Sequence, residues 1–472
     1  MSDQPNLVLI LTDHFRGDCL SHLGHPDAET PHLDGLAAEG YSFRNGYTPC
    51  PSCIPARRSL MTGQTPYTQG FTGYKDFEPW DYSHTMAGEL RNAGYQTVNV
   101  GKTHFYPRRA HLGYEQLLTS EDYEDWLKAQ PNIPTEGKPH GVLNNSWMAR
   151  PHPFPELYME ETWFTSKAIE FLEKRDPTRP FFLTLSFNGP HPPWTPPRDY
   201  WDLFIDREFQ PPAIGEWANK HQEEARYPLD VNAWRGQVSD SQMHRARAAY
   251  FAYLNYLDAQ VGRFLFHLSQ QADLQNTGIV FTSDHGEMLG DHHLWRKTYA
   301  YEASAGVPFI VKPPKKQQKE PSNQILDPVV GWEDIMPTFL ELGGAAIPDT
   351  VEGQSLVPLF SDQSAPWREF YHGEHSPEYH PSNANQFLTD GSWKYIWNSS
   401  TGEEQIFHLE NDPLECKNLS GDSDHQDTLK GWRDRLIEHL KDREEGISDG
   451  EQLIPKALPP NRDGKVKDVD FE

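Results

Sequence analysis

Along this chain, apolar residues gather into short segments of strand length, unbroken at Leu7–Leu11, separated by longer stretches with helical spacing. The runs are Leu7–Leu11, Tyr95–Val100, Pro180–Phe187, Gly278–Thr282 and Val307–Val311. Unbroken apolarity is what a parallel strand buried on both faces requires. Between the runs, Leu33, Leu36 and Ala37 mark a helix within Thr30–Gly40, and His84–Asn92 and residues 161–174 carry two more. The longest helical pattern spans Ser241–Leu274, with Ala246, Tyr250, Leu254, Leu257, Val261, Phe264 and Leu268 on one core-facing side. Strands alternating with helices over three-quarters of the chain predict a parallel α/β sheet. After about residue 376 the pattern changes to short alternating segments, at 386–389, 393–397 and 404–409, and then a closing helix at Thr428–Leu440. A division follows into a catalytic α/β domain over 1–375 and a smaller domain with an antiparallel sheet and helix over 376–472. Residues 106–160, rich in Pro, Trp and His, read as loop insertions, and the charged segment from about Glu444 as loosely held.

Four of the apolar runs end in ionisable groups: Asp13-His14, Lys102 with His104, His191, and Asp284-His285. Open α/β sheets bind ligands beyond the carboxyl ends of their strands, so these groups predict one shared site. Asp13 and Asp284 are hard oxygen donors suited to calcium or magnesium. Taken alone, Asp13 is equally an ordinary turn or capping aspartate. His292 and His293 lack a closing ligand pattern and read as polar surface rather than a zinc cluster.

The stretch Cys50-Pro-Ser-Cys-Ile-Pro-Ala-Arg-Arg-Ser-Leu-Met-Thr-Gly63 stands apart from these patterns. Pro55 suits a first helical position, Gly63 a C-terminal cap, and Pro66 prevents continuation, so a short helix is predicted over Ala56–Met61. Cys53 then sits at its N-terminus, where free N–H groups and the dipole favour negative charge, and Arg57 adds a cation. Those neighbours predict an acidic, reactive thiol; a small buried thiol ahead of an ordinary helix is the other reading. The Cys50/Cys53 spacing also admits a thioredoxin-like pair.

Composition narrows the function classes. The net charge of −27 argues against nucleic acid or an anionic membrane as partner. A local cationic pocket can still take an anionic substrate. Four cysteines, Cys19, Cys50, Cys53 and Cys416, do not make a disulfide framework in 472 residues. No basic-plus-apolar leader or membrane-length run is present, so the chain reads as cytoplasmic, or as periplasmic or secreted if a leader preceded it.

Cys53-Ile54-Pro55-Ala56-Arg57 with Ser59-Leu60-Met61-Thr62-Gly63 resembles the signature of the formylglycine-dependent sulfatases of the alkaline phosphatase superfamily. There the cysteine of C-x-P-x-R is oxidised after translation to formylglycine, whose hydrate is the nucleophile. Cys50 cannot serve, because Ser52 stands where the proline is required. Asp284-His285-Gly286-Glu287 resembles the family's second metal motif, Gly101–His104 its G-K-x-H, and Pro190–Pro193 its P-H-x-P. Lys297 with Tyr301-Glu302 resembles its K-x-x-x-Y-E, and Glu404–Leu419 its C-terminal motif.

The resemblance implies a large mixed, mostly parallel sheet sandwiched by helices, with a smaller C-terminal antiparallel α+β domain. It implies that Asp13, His14, Asp284, His285 and residue 53 hold one divalent metal ion, calcium foremost, with manganese, magnesium or zinc as alternatives. His14 stands where the family has a carboxylate or Gln; as a ligand it softens the site toward manganese or zinc, and it is equally a bystander. The implied activity is hydrolysis of a sulfate monoester. Lys102, Lys297 and the metal bind sulfate oxygens, and residue 53 attacks sulfur. Arg57 orients the nucleophile, His191 or Lys297 protonates the leaving alcohol, and His104 takes the proton of the second hydroxyl. The implied partners are a saccharide or small-molecule sulfate ester, carbohydrate preferred, and a formylglycine-generating maturation enzyme. A phosphonate monoester or phosphodiester hydrolase of the same superfamily is the alternative, and a non-catalytic anion-binding homologue a third reading. Trp194 is read as a stacking platform or as packing. His372, Glu374 and His375 are read as a leaving-group wall or as a polar interdomain seam.

Overall fold

The structure, a computed structural model, describes residues 4–131, 133, 140–142, 144–222, 234–318, 322–362, 365–380 and 383–461. Its larger sheet has strands β1 (Asn6–Thr12), β2 (Tyr41–Phe43), β3 (Gln96–Gly101), β4 (Gln116–Leu118), β5 (Phe181–Ser186), β6 (Thr277–Ser283), β7 (Phe309–Lys312) and β8 (Gln324–Leu326). Their spatial order is β4-β3-β5-β1-β6-β7-β2-β8. Only β7 opposes the others, pairing antiparallel with both β6 and β2. The run at 307–311 is therefore not another parallel strand. Residues 284–308 stay at the carboxyl edge instead of crossing back over a face, so the chain re-enters the sheet in the reverse direction.

The apolar runs are continuous because the sheet has a core on each side. Along β1, Val8 and Ile10 enter one cluster while Leu7, Leu9 and Leu11 enter the other. The helices Glu160–Lys174 and Asp240–Gln271 cover the first face. Helices Cys53–Thr62, Met86–Asn92 and Ile335–Gly343 cover the second. Full burial of each such side chain contributes roughly 1.5–3 kcal/mol, so β1, β5 and β6 anchor the sheet at its centre.

Three expectations change on inspection. The loop region 106–160 contains β4 and a helix, Ser120–Lys128, started by a capping box between Thr119 and Asp122. That helix buries only Leu127, which is why its apolar pattern is faint. The helix expected over Ala56–Met61 begins at Cys53 itself, with Ser52 as N-cap and Pro55 as its third residue. Proline is tolerated there because first-turn N–H groups have no intrahelical acceptor. The segment from Glu444 is held down as far as Asn461: Ile447 and Leu458 lie in a core cluster, and the Thr72 amide donates to the Pro460 carbonyl at 3.1 Å. Its continuation, 462–472, lies outside the described residues.

The second sheet is a meander of β9 (Tyr371–His375), β10 (Asn385–Thr389), β11 (Trp393–Trp397) and β12 (Glu404–His408), each antiparallel to the next. Its first strand precedes the change of texture near 376, because Tyr-His-Gly-Glu-His shows no apolar alternation. The helix Gln426–Leu440 packs Trp432, Leu436 and Leu440 on one face. The other face, with Phe387, Ile396 and Phe407, packs on Met288, Leu294 and Tyr301 of the loop after β6. The second sheet thus backs the loop that builds the site. No described helix is long and apolar enough to cross a membrane.

Candidate active site

Strands β3, β5, β1 and β6 are consecutive in the sheet and parallel, so their carboxyl ends open on one edge. Asp13 and His14 leave β1 there, Lys102 and His104 leave β3, His191 follows β5, and Asp284 and His285 follow β6. Helix Cys53–Thr62 adds Cys53 from its first turn and Arg57 one turn on. His14 and His104 have left-handed backbones (φ 71° and 58°), an uncommon conformation for side chains of this size. The Tyr250 hydroxyl, donating to the His14 carbonyl at 2.8 Å, helps hold the first.

Cys53 is the centre of the cluster. Its Sγ lies 3.7 Å from both Asp13 carboxylate oxygens, 3.3 Å from His285 Nε2, 3.2 Å from Lys297 Nζ and 4.0 Å from Lys102 Nζ. Burial and Asp13 oppose ionisation of the thiol, but Lys102, Lys297 and His285 outweigh them and hold it well below its ordinary value. Cys50 differs: burial pushes its thiol up, and no disulfide joins the two. Arg57 donates through Nε to Asp284 Oδ2 at 3.1 Å and through Nη1 to Ser186 Oγ and the Lys102 carbonyl, each at 3.0 Å.

Asp13, Cys53, Asp284 and His285 present one ligand atom each within 4.8 Å of one another, all buried. Burial and Asp13 push the Asp284 carboxyl up to about 7. Its Oδ1 has no hydrogen-bond partner. Asp13 is held well below its ordinary value, because Lys102, in ion-pair contact with it, and His191 overcome its burial. Two buried carboxylates sharing a site with an orphaned oxygen fit a divalent cation: the donor set calls for positive charge beyond what the lysines supply.

His14 does not join those four. Its Nδ1 donates to Glu287 Oε2 at 2.7 Å and its Nε2 accepts from Lys297 Nζ at 3.0 Å, so both ring nitrogens are occupied. Of the two readings of His14, as ligand or as bystander, these contacts favour the second. His191 Nδ1 donates to the Pro192 carbonyl at 2.7 Å, and burial, then Lys297, lower its imidazole to about 3. Burial also lowers His104, whose Nδ1 is unpartnered.

The site opens into a cleft of about 760 Å³. Cys53, Lys102, His104, His191 and Lys297 line its floor, with Tyr123, Phe154, Asn144 and Glu160 on one side and Arg296, Glu378 and Tyr379 on another. Trp194 is not on the rim. It is buried, packs against Tyr250 and Trp295, and donates its indole N–H to the Pro190 carbonyl at 2.9 Å. His372, Glu374 and His375 do not line the cleft either: His372 meets Gln386 and His439, while Glu374 takes Arg443 Nη2 at 2.8 Å. His292 is buried against Trp217 rather than on the surface.

Glu287, Ser186, Glu378 and Tyr379 escaped the sequence reading. Glu287 lies two residues past His285, and only the fold turns it back onto His14. Ser186 is an ordinary strand residue until Arg57 reaches it. Glu378 and Tyr379 follow β9, far along the chain, and no motif marks them.

The Sulfatase family model matches residues 5–345, and the model of the N-sulphoglucosamine sulphohydrolase C-terminal region matches 290–442. The chain is 39% identical to an arylsulfatase of Clostridium perfringens, over 97% of this chain and 98% of that one. It is 31% identical to a choline-sulfatase of Rhizobium meliloti, over 92% of this chain and 87% of that one. A phosphonate monoester hydrolase of Agrobacterium radiobacter shares the fold with a TM-score of 0.78 at 24% identity, covering 92% of this chain and 95% of that one.

Proposed function

The chain belongs to the sulfatase family and is a sulfuric ester hydrolase; from that premise we propose that residue 53 is its nucleophile and that the cleft receives a sulfated saccharide. One observation carries the reading: a buried cluster of Asp13, Cys53, Asp284 and His285 within 4.8 Å, flanked by two lysines. Oxidation of Cys53 to formylglycine by a maturation enzyme supplies a hydrated aldehyde, whose two hydroxyls let attack and release proceed separately. A divalent cation held by Asp13, Asp284, His285 and residue 53 supplies charge neutralisation and acidifies an oxygen nucleophile. The two carboxylates suit calcium, and the His285 imidazole favours manganese or zinc.

The remaining work falls to side chains of the chain. Lys102 and Lys297 stand on either side of residue 53 and bind non-bridging sulfate oxygens, stabilising charge that grows as the S–O bond breaks. Arg57 fixes Asp284, and through it the geometry at residue 53. His191 points its Nε2 at the leaving oxygen, because Nδ1 is tied to Pro192. An anionic ester bound beside it offsets the Lys297 field that keeps the free ring neutral, and this lets Nε2 hold the proton the leaving alcohol needs. His104, kept neutral by burial, accepts the proton of the second hydroxyl. Tyr123, Phe154 and Tyr379 offer ring faces, and Glu124, Glu160, Asn144 and Glu378 offer hydroxyl partners, a mixture suited to a sugar leaving group.

The test has two parts. The mass of the tryptic peptide Asn45–Arg57 from protein matured in its host is expected to show formylglycine; unmodified cysteine in active enzyme would overturn the nucleophile. Rates on carbohydrate sulfates, aryl sulfates and phosphonate monoesters are expected to fall in that order. A phosphonate monoester as the best substrate would transfer the site to the alternative chemistry.

A further inference from the structure

His14 occupies the position at which a ligand was expected, yet it points into a different network. Glu287 is buried, and its Oε1 accepts the backbone amides of Leu289 at 3.1 Å and Arg296 at 2.5 Å. The carboxylate is therefore immobile, and its Oε2 is left for His14 Nδ1 at 2.7 Å. On the far side of the ring, His14 Nε2 is 3.0 Å from Lys297 Nζ, which is 3.2 Å from Cys53 Sγ. A lysine ammonium only donates, so Nε2 must accept and Nδ1 must carry the hydrogen. Every atom of this line has a defined donor or acceptor role.

We propose that Glu287 and His14 are positioning residues: Glu287 sets the tautomer of His14, and the His14 Nε2 lone pair aims the Lys297 ammonium at residue 53 and the sulfate bound there. Among the described residues no carboxylate is hydrogen-bonded to Lys297 Nζ, so without His14 only residue 53 would hold the head of this long, flexible stem. An imidazole acceptor orients the ammonium without cancelling its charge, as a carboxylate at position 14 would. The cation then has Asp13, Asp284, His285 and residue 53 as its protein ligands, and the inference rests on that reading of the site.

The experiment compares His14→Leu, His14→Gln and Glu287→Gln in the full-length, metal-loaded protein, reading metal stoichiometry, affinity for inorganic sulfate, and kcat and KM separately. Glutamine can donate to Glu287 and accept from Lys297, so His14→Gln is expected to stay within about fivefold of the parent in kcat, whereas His14→Leu loses about 100-fold, the scale of a misplaced catalytic group. Sulfate affinity should fall with His14→Leu and recover with His14→Gln, while the metal stays at one equivalent in both. In Glu287→Gln the single amide oxygen stays with the Leu289 and Arg296 amides and the NH2 turns onto Nδ1, which reverses the His14 tautomer and sets Nε2–H against Lys297. This variant should therefore resemble His14→Leu and covers the case in which the leucine variant does not fold. Loss of metal from His14→Leu with its retention in His14→Gln, whose amide oxygen can coordinate, would make position 14 a ligand and overturn the proposal. Equal losses in Leu and Gln, or none in either, would also overturn it. Sulfate affinity and metal content need no turnover, so a protein that bound both as expected but hydrolysed no sulfate ester would refute the functional reading alone.

Discussion

Two regions of this molecule bury charge, and they do so in opposite ways. Behind the site loop, Lys394 of β11 is wholly buried and donates to Glu302 Oε1 at 2.6 Å, with the rings of Tyr47 and Phe387 about it at 5.1 and 4.9 Å. Glu415 lies 3.9 Å away, its carboxyl pushed up to about 8 by burial despite Lys394. That cluster lines neither the catalytic cleft nor its rim. At the carboxyl edge, Asp13, Cys53, Asp284 and Lys297 are buried and Lys102 is nearly so, but Cys53 and both lysines open on the cleft, and Asp284 Oδ1 and Arg57 Nη2 have no hydrogen-bond partner. Perturbed ionisation therefore marks both regions. What marks the catalytic one is perturbation together with access to the cleft and four ligand atoms that converge on one point. The Lys394 cluster locks the second sheet to the loop that carries Lys297 and Tyr301, a structural task.

Variants can break or sharpen that contrast. The largest effect is expected from Cys53→Ala, which should abolish turnover while leaving the melting temperature close to the parent's; residual activity above the uncatalysed rate would break the assignment. Lys394→Met leaves Glu415 buried, and Glu302 half-buried, without their cation and should cost about 3 kcal/mol of stability, with kcat of the folded fraction retained. A normal denaturation midpoint would show that the cluster is not structural. In the metal-loaded protein, where the cation still offsets Asp13, Lys102→Met should lower kcat by about 10²–10³, read by steady-state kinetics. An intermediate effect concerns pH. Asp284 is raised to about 7 by burial and by Asp13, so the native state keeps a proton that the unfolded chain has released. This contribution is destabilising as pH rises from the ordinary carboxyl value through about 7, and a bound cation takes the proton's place. The gain in melting temperature on adding the divalent ion should therefore be large near about pH 8 and small near about pH 5; equal gains at both would break the argument. The smallest effect is Thr119→Ala, which removes a helix cap in the cleft wall at about 1 kcal/mol and should raise KM more than it lowers kcat.

Much of the site could be read in advance because its residues sit where local rules place them. An apolar strand must end somewhere, and Asp13, Lys102, His191 and Asp284 are the groups at or just beyond four such ends. The positions that were misread or left open share a cause. Trp194 and His292 are polar-tipped rings whose burial depends on Trp295 and Trp217, partners distant in sequence. The helix Ser120–Lys128 carries four acidic residues, Glu121, Asp122, Glu124 and Asp125, and buries only Leu127, so its stretch reads as polar loop. β7 is as apolar as its neighbours, and nothing in Val307–Val311 records the direction in which it runs.

By itself, the sequence determined that this protein has a sheet buried on both faces, with ionisable groups at one edge and a helix-borne cysteine in a sulfatase signature, because period, capping and motif spacing are properties of neighbours along the chain. Tertiary structure alone decided that His14 faces Glu287 and Lys297 rather than the four clustered donors, that Glu378 and Tyr379 enter the cleft from beyond β9, and that Lys394 is a lock and not a catalyst. Those assignments depend on which side chain meets which across hundreds of residues, and hydrogen-bond direction and burial exist only once the chain is packed.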